Sequence, residues 1–436
     1  MGTIQQVPKW VNRLLTECAE QKERSCGFVQ RESKMNGSRF VQTLVWSLMQ
    51  DPDATLEGMA GVAGLVGAGI SAQGLAGRFT PAACELMHSV LTSAMAMIVT
   101  RDPVTIPLLA RFQGVYLLDS TVIPLPSILH TIWPGVSTNQ GEPTAALKVQ
   151  VRLDYRSGCL DHVALQSARS QDRAAPVQHA ELPAGSIRLA DAGYFSLPVL
   201  RTYHDAGVYF LTRAAIHTQI IAADGEVMSQ ADFIRRYGHN GRIDQAIRLG
   251  KKELLSCRLV AWRVGTESAQ RRKRKLRNQA RNQQRPINPD AWALADWAVF
   301  VTNVPSTLLT LEEVAVLSRV RWQIELLFKR WKSYAALERS RSQNHWRILC
   351  EVYAKLLVVL IQHWFLLATC WSVPDRSLAK ATIALRKFVV PLALLLHKPR
   401  AFQQLLTRIG GCIAKNCRLN KRHKKPSIAQ LLMQFA

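Results

Sequence analysis

Thr310–Lys332, TLEEVAVLSRVRWQIELLFKRWK, carries its own start signal. Thr310 suits a helix N-cap, and Glu313 stands three residues on, the capping-box spacing. At about 100° per residue, Leu317, Val320, Ile324, Leu327, Phe328 and Trp331 gather on one apolar side. Ser318, Arg321, Glu325 and Lys332 share an adjoining sector of about 60°. One carboxylate therefore sits between two cations at the edge of a face that must be packed. A salt-bridged surface gives that spacing, and so does a metal-binding glutamate flanked by phosphate-contacting cations.

The chain has 436 residues and a formal charge of +25, enough length for two or three domains and a charge suited to polyanions. Nucleic acid is the first candidate partner and an anionic membrane surface the second. The polar N-terminus does not read as a cleavable signal peptide, and Gln6 stands where a myristoylation motif wants Ser or Thr. Nine scattered cysteines without a CxxC pair point to reduced cytosolic thiols. Ile348–Trp371 is apolar and long enough to span a bilayer. However, Glu351, Lys355, Gln362 and His363 lie inside it, and a charge at bilayer depth costs roughly 2.5–3.5 kcal/mol. A buried helix of a large core is expected instead, with no membrane partner.

Residues 1–37 are weakly patterned, with a short helix expected around Trp10–Cys18. Helical periodicity runs from Arg39, breaks at Asp51-Pro52-Asp53, and resumes through a glycine-rich turn with Ser71 and Thr80-Pro81 as start signals. The turn region resembles a helix-turn-helix, or an ordinary helical bundle. From Phe112 the texture becomes strand-like: GVYLLDST ends in Asp119, and a hairpin turns at Ser157-Gly158. SIRLADAGYFS ends its strand in Asp191, and GVYFLTR ends in Arg213. Residues 214–296 hold short strands and the run RRKRKLRNQARNQQR (271–285), expected as a solvated loop and offering a backbone clamp for DNA. WAVFVTNV returns to strand, and Phe402–Ala436 is helical with Lys415, Arg418, Lys421, Arg422, Lys424 and Lys425.

Asp119, Asp191 and Glu325 thus stand at the ends of elements of one α/β sheet. Hard divalent cations take carboxylate oxygens and keep positions open for water and phosphate. A pair of such ions activates the attacking oxygen and stabilises the leaving one. They would also let a polyanion approach an acidic pocket.

LLDST, ADAGYFS and RVRWQIELLFKRWK resemble the three catalytic blocks of DDE transposases of the insertion-sequence-4 group, over nearly the whole chain from about Arg39. The resemblance implies an RNase H-like mixed sheet interrupted by a β-rich insertion, with Asp119, Asp191 and Glu325 binding two Mg²⁺, or Mn²⁺ in their place. It further implies five segments: a helical end-binding domain (1–105), a core in two parts (106–213 and 297–372), the insertion (214–296), and a C-terminal helical region for subunit contact (373–436). Expected partners are the terminal inverted repeats, target DNA and a second copy of the chain, in a bacterial cytoplasm at the nucleoid. Arg321 and Lys332 match the family's third block, whereas Ser318 replaces its tyrosine. Trp297 matches a tryptophan that stacks on a flipped base, or is a core residue at a strand edge. Arg213 and Lys148 are further candidates for backbone contact. The implied reaction is end cleavage through a hairpin followed by strand transfer. The alternatives are an RNase H-like nuclease without strand transfer and a catalytically silent, transposase-derived DNA-binding protein.

Overall fold

A computed structural model describes residues 3–31, 33–136, 143–420 and 426–435. It divides into two compact units, each discontinuous in sequence. The first comprises Met1–Val104, Ser120–Ser170 and Ile324–Gln430; the second comprises Thr105–Asp119, Gln171–Gln323 and Leu431–Ala436.

In the first unit the helices begin where short polar side chains offer an acceptor. Asn36, Thr55, Ser71 and Thr80 each accept a backbone N–H three residues on, opening helices Gly37–Gln50, Leu56–Leu65, Ala72–Ala76 and Pro81–Met95. The N-terminus is more helical than its pattern indicates. Thr3–Arg13, a π turn at Leu14–Cys18, and Ala19–Ser25 run on continuously, burying Val7, Val11, Leu14 and Leu15. Pro8, inside the first of these helices, disguises it in the sequence.

The apolar segment forms the helix His345–Cys370, long and apolar enough to cross a membrane, but 94% of its most apolar window is buried. It packs against Thr3–Arg13, Gly37–Gln50, Pro81–Met95 and the tail helix Pro399–Asn416. Its polar groups have protein partners. Glu351 accepts from Arg347 Nε at 2.8 Å and Ser340 Oγ at 2.7 Å, and Lys355 Nζ donates to the carbonyls of Ala336 and Arg339 at 3.1 and 2.5 Å. Paired charges of this kind are tolerated in a protein core. Of the basic tail cluster, Lys421, Arg422, Lys424 and Lys425 lie outside the described residues.

His363, on the same helix, bonds the carbonyl of Gly158 through Nε2 at 2.7 Å. Burial, aided by the Arg330 charge, pulls its pKa down to about 3, against a smaller opposing effect of that bond. An unfolded histidine titrates near 6.5, so between those values the unfolded chain holds the extra proton. Stability from this group is complete above pH ~6.5 and falls by about 1.4 kcal/mol per unit below it. Urea titrations between pH 7 and pH 5 should therefore show the wild-type advantage over His363→Gln shrinking with acid. A constant difference would refute the assignment.

The described residues form ten strands: β1 Val115–Leu125, β2 Ala145–Asp154, β3 Leu160–Ser167, β4 Ile187–Ala190, β5 Tyr209–Thr212, β6 Ile220–Ile221, β7 Val227–Met228, β8 Arg242–Leu249, β9 Leu255–Arg263 and β10 Trp297–Thr302. The first unit holds the order β3–β2–β1, with β2 and β3 an antiparallel hairpin. Gly158 lies in its turn at φ 74°, a conformation that glycine adopts without steric cost. The second unit holds β1–β4–β5–β10–β9–β8–β6–β7. Here β1, β4 and β5 are parallel and the remaining pairings antiparallel. This is the mixed α/β sheet that the sequence predicts, with β6–β9 supplied by the insertion.

Two local expectations are corrected. The run at 271–285 is largely helical, in Thr266–Gln283, which ends where Gln284 turns left-handed at φ 50°. Arg, Lys, Gln and Ala are strong helix formers, and the aromatic neighbours described below anchor the charges. The Thr310 capping box is present, but the helix it opens is interrupted. Leu311–Val320 and Trp322–Tyr334 meet at Arg321, whose N–H reaches the Leu317 carbonyl at a long 3.4 Å.

Candidate active site

The parallel pairing of β1 with β4 ends at Leu118 opposite Ala190, so the next residues, Asp119 and Asp191, emerge side by side from neighbouring strands. Neighbouring strands lie about 4.8 Å apart. Asp191 follows its strand as expected and begins the turn Ala192–Tyr194. Asp119 differs from expectation: β1 does not stop there but continues to Leu125. The β-branched residues Thr121, Val122 and Ile123 favour that continuation. Thr212 Oγ1, at the end of β5, donates to the carbonyl of Ala190 at 3.1 Å and ties the strand end that carries Arg213 to the residue before Asp191.

Two arginines face these carboxylates. Arg321 Nη1 lies 3.4 Å from Asp119 Oδ2, with both side chains less than a fifth exposed, at 18% and 19%. Partial shielding makes this pair stronger than an open surface contact. The Arg213 guanidinium lies 5.4 Å over the Phe300 ring. Desolvation and the like charge of Arg321 lower its pKa, while Asp191 opposes them. Arg272 is lowered likewise, by desolvation first and then by Arg213 and Arg271. Both remain cationic at neutral pH. Nothing in the sequence singles out Arg272, because a run of six neighbouring cations from Arg271 to Arg277, broken only by Leu276, gives no reason to choose one.

Glu325 lies in the first unit, on Trp322–Tyr334, one helical turn along the chain from Arg321. Lys332, on the same helix and in the same unit, donates to the carbonyl of Val122 at 2.7 Å and pairs with Glu338 at 2.7 Å. The Ser318 hydroxyl donates to the Ala315 carbonyl at 2.8 Å within its own helix. Lys148 is buried, its ammonium 2.5 Å from the Ser170 carbonyl. Trp297 is a core residue at 7% exposure, packed in the second unit's apolar cluster with Arg263 5.5 Å over its ring.

Among the described residues, no three His, Cys, Asp or Glu side chains group closely enough to hold a metal ion. Asp119 and Asp191 nevertheless fit a hard divalent cation in chemistry. They offer adjacent carboxylates, and Mg²⁺ commonly takes only one or two protein carboxylates, completing its shell with water and phosphate.

Residues 110–361, which include Asp119, Asp191 and Glu325, match the family model "Transposase DDE domain". Over 95% of the chain and 92% of the relative, the sequence is 25% identical to the transposase for insertion sequence element IS231F of Bacillus thuringiensis subsp. israelensis. The transposase for IS1151 of Clostridium perfringens is 24% identical over 57% of the chain and 56% of its own length. The putative transposase InsL for IS186A of Escherichia coli K12 is 28% identical over 41% and 50%. With more than half of its length matched, and with Asp119 and Asp191 on neighbouring strands inside the match, the chain belongs to the DDE-domain transposase family.

Proposed function

We propose that this protein is a cut-and-paste transposase that cleaves DNA at an element's terminal inverted repeats and joins the freed ends to target DNA. The observation that carries this reading is the side-by-side emergence of Asp119 and Asp191 from β1 and β4, with Arg321 and Arg213 against them. Asp119, Asp191 and Glu325 are proposed to hold two Mg²⁺, with Mn²⁺ able to substitute. When bound, those ions would lower the pKa of water and neutralise charge on the scissile phosphate.

The chain's own residues supply the rest. The carboxylates fix the donor positions from rigid strands, so the reacting phosphate is received by a preorganised site. Arg321 can exchange its Asp119 partner for a phosphate oxygen, a charge-assisted bond that arginine makes well. Arg213, held over Phe300, offers a second cation on the Asp191 side. Water attacks one strand, the 3′-hydroxyl so freed attacks the opposite strand to give a hairpin, and after opening the same hydroxyl joins target DNA.

Lys332 and Ser318 are proposed backbone contacts after rearrangement, since in this conformation both bond main-chain carbonyls. Lys148 and Trp297 would likewise have to leave their packed positions to meet DNA. A second copy of the chain is the proposed partner in the paired-end complex, with residues 1–105 as the end-binding segment and 373–436 as the subunit contact.

Incubation of the protein with labelled terminal DNA, a plasmid target and Mg²⁺ should give labelled DNA covalently joined to plasmid. Cut but unjoined ends would instead indicate an RNase H-like nuclease. Binding without metal-dependent cutting would indicate a silent derivative.

A further inference from the structure

The helix Thr266–Gln283 sorts its charges into two faces. One face is fixed to the second unit. Lys273 Nζ bonds Asp296 Oδ2 at 2.8 Å, Arg272 Nη1 donates to the Trp297 carbonyl at 2.6 Å, Arg277 lies 4.9 Å over the Trp292 ring, and Ala269 is buried. The other face is exposed at Arg271, Arg274, Lys275, Asn278, Arg281 and Asn282. At about 100° per residue, Arg271, Asn278 and Asn282 fall along one outward line, within a sector of about 40° around the axis. Arg274 and Arg281 flank that line on one side, and Lys275 on the other.

Amides along the middle of a helix face, with cations on both edges, match the demands of the DNA major groove. The groove is about 12 Å wide and admits a helix, and asparagine pairs bidentately with the N6 and N7 edge of adenine. Arginine and lysine on the flanks then reach phosphates on the two walls. From Arg271 to Asn282 the stripe is about 16 Å long, enough to cross the groove and touch both walls. The stripe has no apolar residue, whereas a helix lying in a membrane surface needs an apolar face. Duplex RNA fits poorly, because its major groove is too deep and narrow for side chains to read.

We infer that Thr266–Gln283 is a recognition helix, docked through its inner face on Asp296 and the Trp297 strand, that reads duplex DNA in the major groove. This inference rests on the reading of the chain as an enzyme of DNA. Because two amides carry base information, its partner is the DNA of fixed sequence, the element's own ends, in preference to target DNA.

The test is a set of binding isotherms with the full-length chain. One duplex carries the terminal repeat and the other a shuffled version, each measured over a range of salt concentrations. The triple variant Arg274→Ala, Lys275→Ala, Arg281→Ala should flatten the slope of log K against log salt by about 2.7 on both duplexes, from three lost phosphate contacts. Asn278→Ala with Asn282→Ala should leave the slope unchanged and lower the preference for the terminal repeat by about tenfold or more. Far-UV circular dichroism and a thermal midpoint equal to wild type establish that the variants are folded. A wild-type slope in the triple variant, or a wild-type preference in the amide variant, overturns the inference. If the predicted binding changes appear but the wild type yields no joined product, the recognition helix stands and the proposed reaction falls.

Discussion

Asp119→Asn and Asp191→Asn should each lower end cleavage by on the order of 10³-fold or more, with DNA binding undiminished. Asparagine keeps the size of the side chain and an acceptor oxygen but not the charge. The strand register that places residues 119 and 191 side by side is set by backbone pairing through Leu118 and Ala190, so it survives both substitutions. Removing a negative charge from a site that must receive a polyanion favours DNA electrostatically. Catalysis and affinity should therefore move apart. A variant that loses both together has lost its fold, and one that keeps cleaving dismisses the pair as the reactive centre. Cleavage rates on an end-labelled terminal duplex, measured beside equilibrium binding to the same duplex, separate these outcomes.

The second large effect belongs to Arg321. Its guanidinium lies 3.4 Å from Asp119, and it is also the residue at which the helix is interrupted, between Leu311–Val320 and Trp322–Tyr334. As a stability element the pair is modest, because both side chains retain contact with water. As a cation that stabilises charge on a reacting phosphate, one such donor is worth about 10²–10³ in rate. Arg321→Ala should thus reduce cleavage by about 10²-fold with a small change in thermal midpoint. Arg321→Lys should recover part of the rate, because a point charge replaces a bidentate fork. If Arg321→Ala melts early and cleaves normally, Arg321 is a structural partner of Asp119 and no more.

The features legible in the sequence were those written locally. Ser71, Thr80 and Thr310 announce their helices because a cap depends on three or four residues, and each is used as read. Asp191 and Arg213 could be found because each directly follows a short apolar strand. The apolar run containing Glu351 and Lys355 could be assigned to the core, since two charges inside it need protein partners.

What the sequence hid depends on distant packing. β1 continues past Asp119 because the β-branched Thr121, Val122 and Ile123 favour extension, whereas Asp119 and Ser120, both common in turns, read locally as an end. Lys148 reads as a free cation on a strand, yet the carbonyl of Ser170 holds its ammonium in a buried position. Trp297 reads equally as a stacking platform or a core residue, and here the ring is packed in the apolar cluster. The basic run looks like a solvated loop because like charges repel. It becomes a helix once Asp296, Trp292 and the Trp297 carbonyl take three of its cations on one face.

The claim that Asp119 and Asp191 form a metal-dependent reactive centre is tested most directly by Mn²⁺ binding, followed by electron paramagnetic resonance on the chain bound to terminal duplex. The wild type should bind Mn²⁺, and the double variant Asp119→Asn, Asp191→Asn should lose that binding while still holding DNA. Mn²⁺ binding equal to wild type in the double variant would contradict the account.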